Sequence, residues 1–274
     1  MISPVQIAEK YVTVGKTKAN TPVVKMFVLA LFAGMFIAIA GASATIASCM
    51  VENASTARLV NSLIFPAGLV MVVLAGSELF TGNCLILISV LRKEINFLAY
   101  IKCLAIVYIG NLLGSILAAA LFVYGHTPDL YGGKLAEVLT STAVAKTSLS
   151  FSDAFIRGIL CNFLVCIAVW ITVGASNGAD KVIGLYPPIF VFVLGGYEHC
   201  VANMFYIPAG LFAASEYSIT AESLTWGAFF VKNLLPVTLG NILGGAIIVG
   251  GGYWFAYLSK SKIKKATVGD KKSK

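Results

Sequence analysis

His199 stands in a long apolar stretch, directly after Glu198, within Gly196-Tyr197-Glu198-His199-Cys200-Val201-Ala202-Asn203. Imidazole has the ordinary pKa nearest neutrality, about 6.5, so a histidine here can donate a hydrogen bond or exchange a proton. A related pattern, Gly76-Ser77-Glu78-Leu79-Phe80-Thr81-Gly82-Asn83, lies 120 residues earlier, with Gly, Glu and Asn at matching places. Glu78 and Glu198 are costly in an apolar medium. Each reads either as a cap on the free N–H groups of a broken helix or as a carboxylate that carries a transported proton. The cap is the favoured reading, because it needs no other partner. A lone histidine in an apolar run is often a satisfied core residue, but a helix break makes a cavity the better expectation. His126, before Thr127-Pro128, reads as a loop residue.

Other chemistries find little support. HExxH and GxSxG are missing, and no carboxylate or Cys/His cluster points to an enzyme. The six cysteines, Cys49, Cys84, Cys103, Cys161, Cys166 and Cys200, lie in or beside apolar runs without a CxxC pair. They read as buried free thiols, with no metal, cofactor or disulfide framework expected. The basic tail, seven of the last fifteen residues, reads as an orientation and lipid-contact signal and not as a nucleic-acid site.

The elements that must position these residues are membrane spans. Of 274 residues, 58% are apolar and 12% charged, too few charges to cover a soluble globule and too apolar for a disordered chain. No Asp, Glu, Lys or Arg occurs in residues 26–51, 59–77, 103–128, 158–179 or 233–259, and residues 182–215 hold only Glu198. About 20 helical residues cross a hydrocarbon core. The pattern predicts an all-α membrane protein with six transmembrane helices, the second and fifth broken. It divides into a segment 1–25 with a short amphipathic helix and no signal-peptide core, a six-helix transmembrane bundle 26–258 and a basic tail 259–274. Fifteen of the twenty Lys and Arg fall on the side of the two termini and five on the other, which places both termini in the cytoplasm.

The third and sixth spans also match, Gly110-Asn111-Leu112-Leu113-Gly114 against Gly240-Asn241-Ile242-Leu243-Gly244. The chain thus reads as two three-helix halves, inverted because each half holds an odd number of spans. Inverted halves with one broken helix each point to a transport pathway near the midplane. Gly34, Gly41, Gly110, Gly114, Gly240 and Gly244 read as packing residues. Trp170, Trp226 and Trp254 read as interfacial anchors.

Three segments carry a specific resemblance. Residues 73–82 resemble the first signature of the formate/nitrite transporter family, residues 158–168 (Gly-Ile-Leu-Cys-Asn-Phe-Leu-Val-Cys-Ile-Ala) the second, and residues 196–204 the segment bearing its central histidine. The resemblance covers roughly residues 1–258. It implies an aquaporin-like fold, a homopentamer with one pore per protomer, and passage of small monovalent anions such as formate, nitrite or hydrosulfide. It implies pore roles for His199, Thr81 and Asn162, and places Lys146 near the outer mouth. It further implies apolar constrictions at Leu69, Leu79 and Phe192 on the cytoplasmic side and at Phe65, Phe80 and Val165 on the outer side. Asn83 and Asn203 lie at the breaks with Glu78 and Glu198. Ile167 departs conservatively from the second signature, and Gly82-Asn83-Cys84 and Cys200 are variable places.

An anion does not cross two apolar slits cheaply, since desolvating it costs several kcal/mol. The expectation is that His199, hydrogen-bonded to Thr81 or Asn162, stabilises the anion or lends it a proton, in a pH-dependent bacterial inner-membrane channel. A proton-coupled transporter of the same anions is the alternative. A neutral-solute pore is weaker: Asn83-Cys84-Leu85 and Asn203-Met204-Phe205 are not paired Asn-Pro-Ala breaks. Among the anions formate leads, then hydrosulfide, then nitrite.

Overall fold

A computed structural model describes residues 1–259. The described chain is helical throughout, and no strand occurs among the described residues. The basic tail expected at 259–274 lies, but for Ser259, outside them.

The elements are α1 (Pro4–Ala19), α2 (Val23–Ser48), α3 (Ala54–Ala75), α4 (Phe80–Leu91), α5 (Phe97–Tyr124), α6 (Lys134–Thr147), α7 (Phe151–Gly174), α8 (Gly178–Leu194), α9 (Cys200–Glu216) and α10 (Ala228–Tyr257). Five of them, α2, α3, α5, α7 and α10, are long and apolar enough to cross a membrane. Residues 182–215 divide between α8 and α9, of 17 residues each, so neither has that length alone. Helix starts are locally encoded. Ser3, Asn53, Asn96, Ser150 and Asn177 each accept a backbone N–H from the first turn of the helix that follows.

The order of packing repeats along the chain. α2 lies along α5, and α7 along α10. The short helices α1 and α6 lie against α4 and α9 respectively. Glycines permit the long contacts. A Cβ on Gly110 would stand 2.6 Å from the Cβ of Ala30, and one on Gly114 would overlap the Leu31 carbonyl oxygen. In the second half, Cβ atoms on Gly240 and Gly244 would overlap the carbonyl oxygens of Phe155 and Ile159. In an apolar solvent such close backbone approach is a main source of helix association.

Trp170 differs from its reading as an interfacial anchor. It is buried, 5% exposed, and stacks between Tyr11 of α1 and Tyr253 and Tyr257 of α10. It fastens α1 to the bundle, with help from the Tyr11 hydroxyl, which donates to the Gly82 carbonyl (3.3 Å), and from Ser89 Oγ, which donates to the Val12 carbonyl (3.0 Å).

Gly114→Val tests the close contact. Its side chain collides with backbone that cannot swing away, so a loss of about 1–3 kcal/mol is expected, read as a lower melting temperature in detergent. Gly252→Ala, where a Cβ meets nothing within 4 Å, shifts the melt little.

Candidate functional site

Both breaks have one construction. Gly76 ends α3 at φ +79° and Gly196 follows α8 at φ +66°, left-handed values that glycine adopts without strain. Three residues later Leu79 and His199 are extended, with φ −108° at both. α4 and α9 then begin near the middle of the bundle.

Free backbone groups there must find partners inside the protein. Asn111 and Asn241 supply them. Asn111 Oδ1 accepts the Phe80 N–H (2.8 Å), while its Nδ2 donates to the carbonyls of Glu78 (2.9 Å) and Ala30 (2.7 Å). Asn241 Oδ1 accepts the Cys200 N–H (2.9 Å), while its Nδ2 donates to the carbonyls of Glu198 (3.0 Å) and Gly158 (2.8 Å). Each amide joins three helices around one gap. Both residues are fully buried. They were visible in the sequence only as the middle of two packing motifs. The signal that marks them is a polar amide held at the same place in both glycine-flanked repeats.

The glutamates do not cap these helix starts. Glu78 Oε2 meets Lys18 Nζ (2.6 Å) and accepts from Asn83 Nδ2 (2.8 Å), and Asn83 Oδ1 accepts from the same lysine (3.0 Å). Glu198 meets Lys146 Nζ through both oxygens (2.9 and 3.2 Å) and accepts from Asn203 Nδ2 (2.6 Å) and, at 3.4 Å, from Asn233 Nδ2. The capping expectation is corrected, because a buried carboxylate gains more from a cation and amide donors than from a partial dipole charge. Lys18 comes from the end of α1 and Lys146 from the end of α6, so each short helix delivers one lysine to one break. Lys146 is therefore ion-paired, with 18% side-chain exposure, and not a free cation.

Two cavities approach the breaks from opposite ends. The one on the side of the N-terminus holds about 260 Å³ and is lined by Leu69, Leu79, Glu78, Asn83 and Lys18. The one on the far side holds about 810 Å³ and is lined by Phe65, Phe192, His199, Glu198, Asn203 and Lys146. Phe192 thus stands with Phe65, their rings edge-to-face at 5.6 Å, and not with Leu69 and Leu79. Its ring also lies 5.9 Å from that of His199. Phe80 and Val165, buried, line neither cavity, and Phe80 packs edge-on against Tyr108. His199 lines the far cavity, while its partner Thr81 is buried and lines neither.

That pair is Thr81 and His199. Thr81 Oγ1 and His199 Nε2 are 2.8 Å apart, both buried. His199 is the N-cap of α9, its Nδ1 accepting the Ala202 N–H at 3.1 Å. The cap sets the tautomer: with Nδ1 an acceptor, the neutral ring carries its proton on Nε2 and donates to Thr81 Oγ1. The threonine hydroxyl hydrogen then remains available to another acceptor. Asn162 makes no hydrogen bond to the imidazole. Its Nδ2 donates to the carbonyls of Thr81 (3.3 Å) and Asn241 (2.7 Å), so it ties the backbone of α4 to that of α10.

The described residues contain no group of three or more His, Cys, Asp and Glu placed to hold a metal ion.

A family model described as formate/nitrite transporter matches residues 5–255. A probable formate transporter of Methanothermobacter thermautotrophicus is 35% identical over 94% of this chain and 98% of its own length. The formate channel FocA of Haemophilus influenzae is 35% identical over 95% of each chain. A solved pentameric formate channel with formate bound superposes with a TM-score of 0.75 at 35% identity, covering 86% of this chain and 98% of the other. A solved FNT family ion channel gives 0.80 at 30% identity, covering 92% and 98%.

The Lys146–Glu198 pair makes a prediction about stability. Lys146→Met leaves a buried carboxylate without its cation and is expected to cost about 3–5 kcal/mol. The double variant Lys146→Met/Glu198→Gln recovers part of the loss. Thermal unfolding in detergent of the two variants and the wild type checks the order.

Proposed function

As the chain belongs to the formate/nitrite transporter family, whose members are channels and transporters and not enzymes, we propose that it is a pH-dependent channel for small monovalent anions, with formate first among them. In this reading the bundle has six spans in two inverted halves of aquaporin-like form. The termini and the smaller cavity face the cytoplasm of a bacterial inner-membrane protein. Five copies assemble, as in the pentameric relative, and each copy of this chain holds its own pore. The segment 1–25 lies on the cytoplasmic face, and the bundle 26–258 forms the channel.

The observation that carries the reading is the buried Thr81–His199 hydrogen bond, made by a histidine that lines the far cavity. Leu69 and Leu79 narrow the path from one side, and Phe65 and Phe192 from the other; Phe80 and Val165 support the walls. An anion passing this middle has lost its water, at a cost of several kcal/mol. It accepts the free Thr81 hydroxyl hydrogen while Nε2–H supports the hydroxyl oxygen. A hydrogen bond to a charged group contributes about 1.5–3 kcal/mol. The first turns of α4 and α9 add partial positive charge beside the pair.

The same geometry supports the proposed pH dependence. The neutral ring holds one proton, so passing it to the anion would leave an imidazolate. Lending a proton requires a second one at Nδ1, and Nδ1 receives it only by giving up the Ala202 N–H. Anion stabilisation by the neutral pair is thus the resting mode. Protonation of the ring is a separate state, tied to a change at the start of α9. Obligate proton co-transport, the alternative, would route every turnover through that second state.

Formate, nitrite and hydrosulfide flux in proteoliposomes between pH 5 and 8 tests the proposal. Wild type is expected to carry formate with flux that changes across this range. Thr81→Val is expected to lower flux about tenfold or more, as removal of a hydrogen bond to a charged group predicts. His199→Phe is expected to leave whatever flux remains independent of pH. Unaltered pH-dependent flux in His199→Phe overturns the role of the histidine, and a fixed proton-to-formate ratio favours the transporter.

A further inference from the structure

The far cavity carries more positive charge than its ion pair cancels. Its wall holds Arg58, Lys146 and Arg157 but only one carboxylate, Glu198. Lys146 is committed to that carboxylate through both oxygens, at 2.9 and 3.2 Å. To a distant anion the pair is close to neutral, and the uncompensated charges are the two guanidinium groups.

Both arginines are placed by the break itself. Arg58, in the first turns of α3, donates from Nη1 to the Leu194 carbonyl (3.4 Å), and its guanidinium fills the space where a side chain on Gly196 would lie. The Glu198 N–H donates to the backbone carbonyl of Arg157 (3.3 Å), which puts that residue directly across the extended segment. Neither guanidinium forms an ion pair among the described residues. The nearest acidic side chain in sequence to Arg157, Asp153 one turn earlier, is held by Ser150 Oγ at 2.7 Å. Both arginines are exposed and belong to the cavity wall. Guanidinium also stays charged at every working pH.

Building on the channel reading, we infer that Arg58 and Arg157, and not Lys146, form the anion-loading site of the far cavity, which concentrates small anions above Phe65 and Phe192 before they reach the Thr81–His199 pair. A cavity with charge of one sign between low-dielectric walls focuses the field and raises the local concentration of the opposite ion. Such an effect appears in the substrate dependence of entry, is screened by salt, and requires only the charge.

Initial formate uptake into cells with no formate channel of their own, with formate added outside, tests the site. Ionic strength is varied at constant osmolarity. Arg58→Gln/Arg157→Gln is expected to raise the apparent KM about threefold or more at low ionic strength, with maximal flux little changed. The gap to wild type should close above about 0.3 M salt, where the Debye length falls well below 10 Å. Arg58→Lys/Arg157→Lys should restore the wild-type KM, which a merely structural role for the arginines would not. Equal KM values and equal salt dependence in wild type and the glutamine variant overturn the assignment, as does failure of the lysine variant to rescue. Absence of formate uptake by the wild type overturns the channel reading, and this inference falls with it.

Discussion

Backbone cannot be interrupted inside a membrane unless the protein itself satisfies the peptide groups that the interruption frees. Asn111 and Asn241 meet this requirement, and the central structure depends on them. One amide accepts from the first N–H of α4 or α9 and donates to the carbonyl of the preceding glutamate and to a carbonyl on a neighbouring helix. With these bonds in place, two helices start near the middle of the bundle at little cost. The extended residues before them are held in position, and one of those residues is His199.

The same constraint explains the charged groups. With asparagine filling the backbone gap, Glu78 and Glu198 need partners of their own. α1 and α6 bring Lys18 and Lys146 to them, and Asn83 and Asn203 complete the shell. Burial of a carboxylate is tolerable only in such company. The consequence for function is that the lysines are no longer free charges. In the proposed reading, the field available to an anion at the far cavity then comes from Arg58 and Arg157, which form no ion pair among the described residues.

The two breaks share a backbone and differ in side chains. Leu79 and His199 occupy equivalent extended positions, and only the histidine can accept the N–H of the following turn. The near-symmetry of the frame therefore supports one polar centre and not two. Thr81 from one half meets His199 from the other, so neither half contains the site alone.

The sequence by itself determined the helical membrane character, the places of the breaks and the identity of the residues around them. Charge-free runs, glycine at the turns and the matching Gly-Glu-Asn patterns are local signals that need no tertiary information. The family resemblance also singled out His199, with Thr81 and Asn162 as alternative hydrogen-bond partners for it. Only the tertiary structure decided between them, placing Asn162 against two backbone carbonyls. It alone moved Phe192 beside Phe65, turned Trp170 into the core, and gave the glutamates lysines in place of helix ends. The physical reason is common to all four. Which face of a helix meets which neighbour, and which donor reaches a buried carboxylate first, depends on residues dozens of positions apart. Composition and spacing along the chain do not encode that distance.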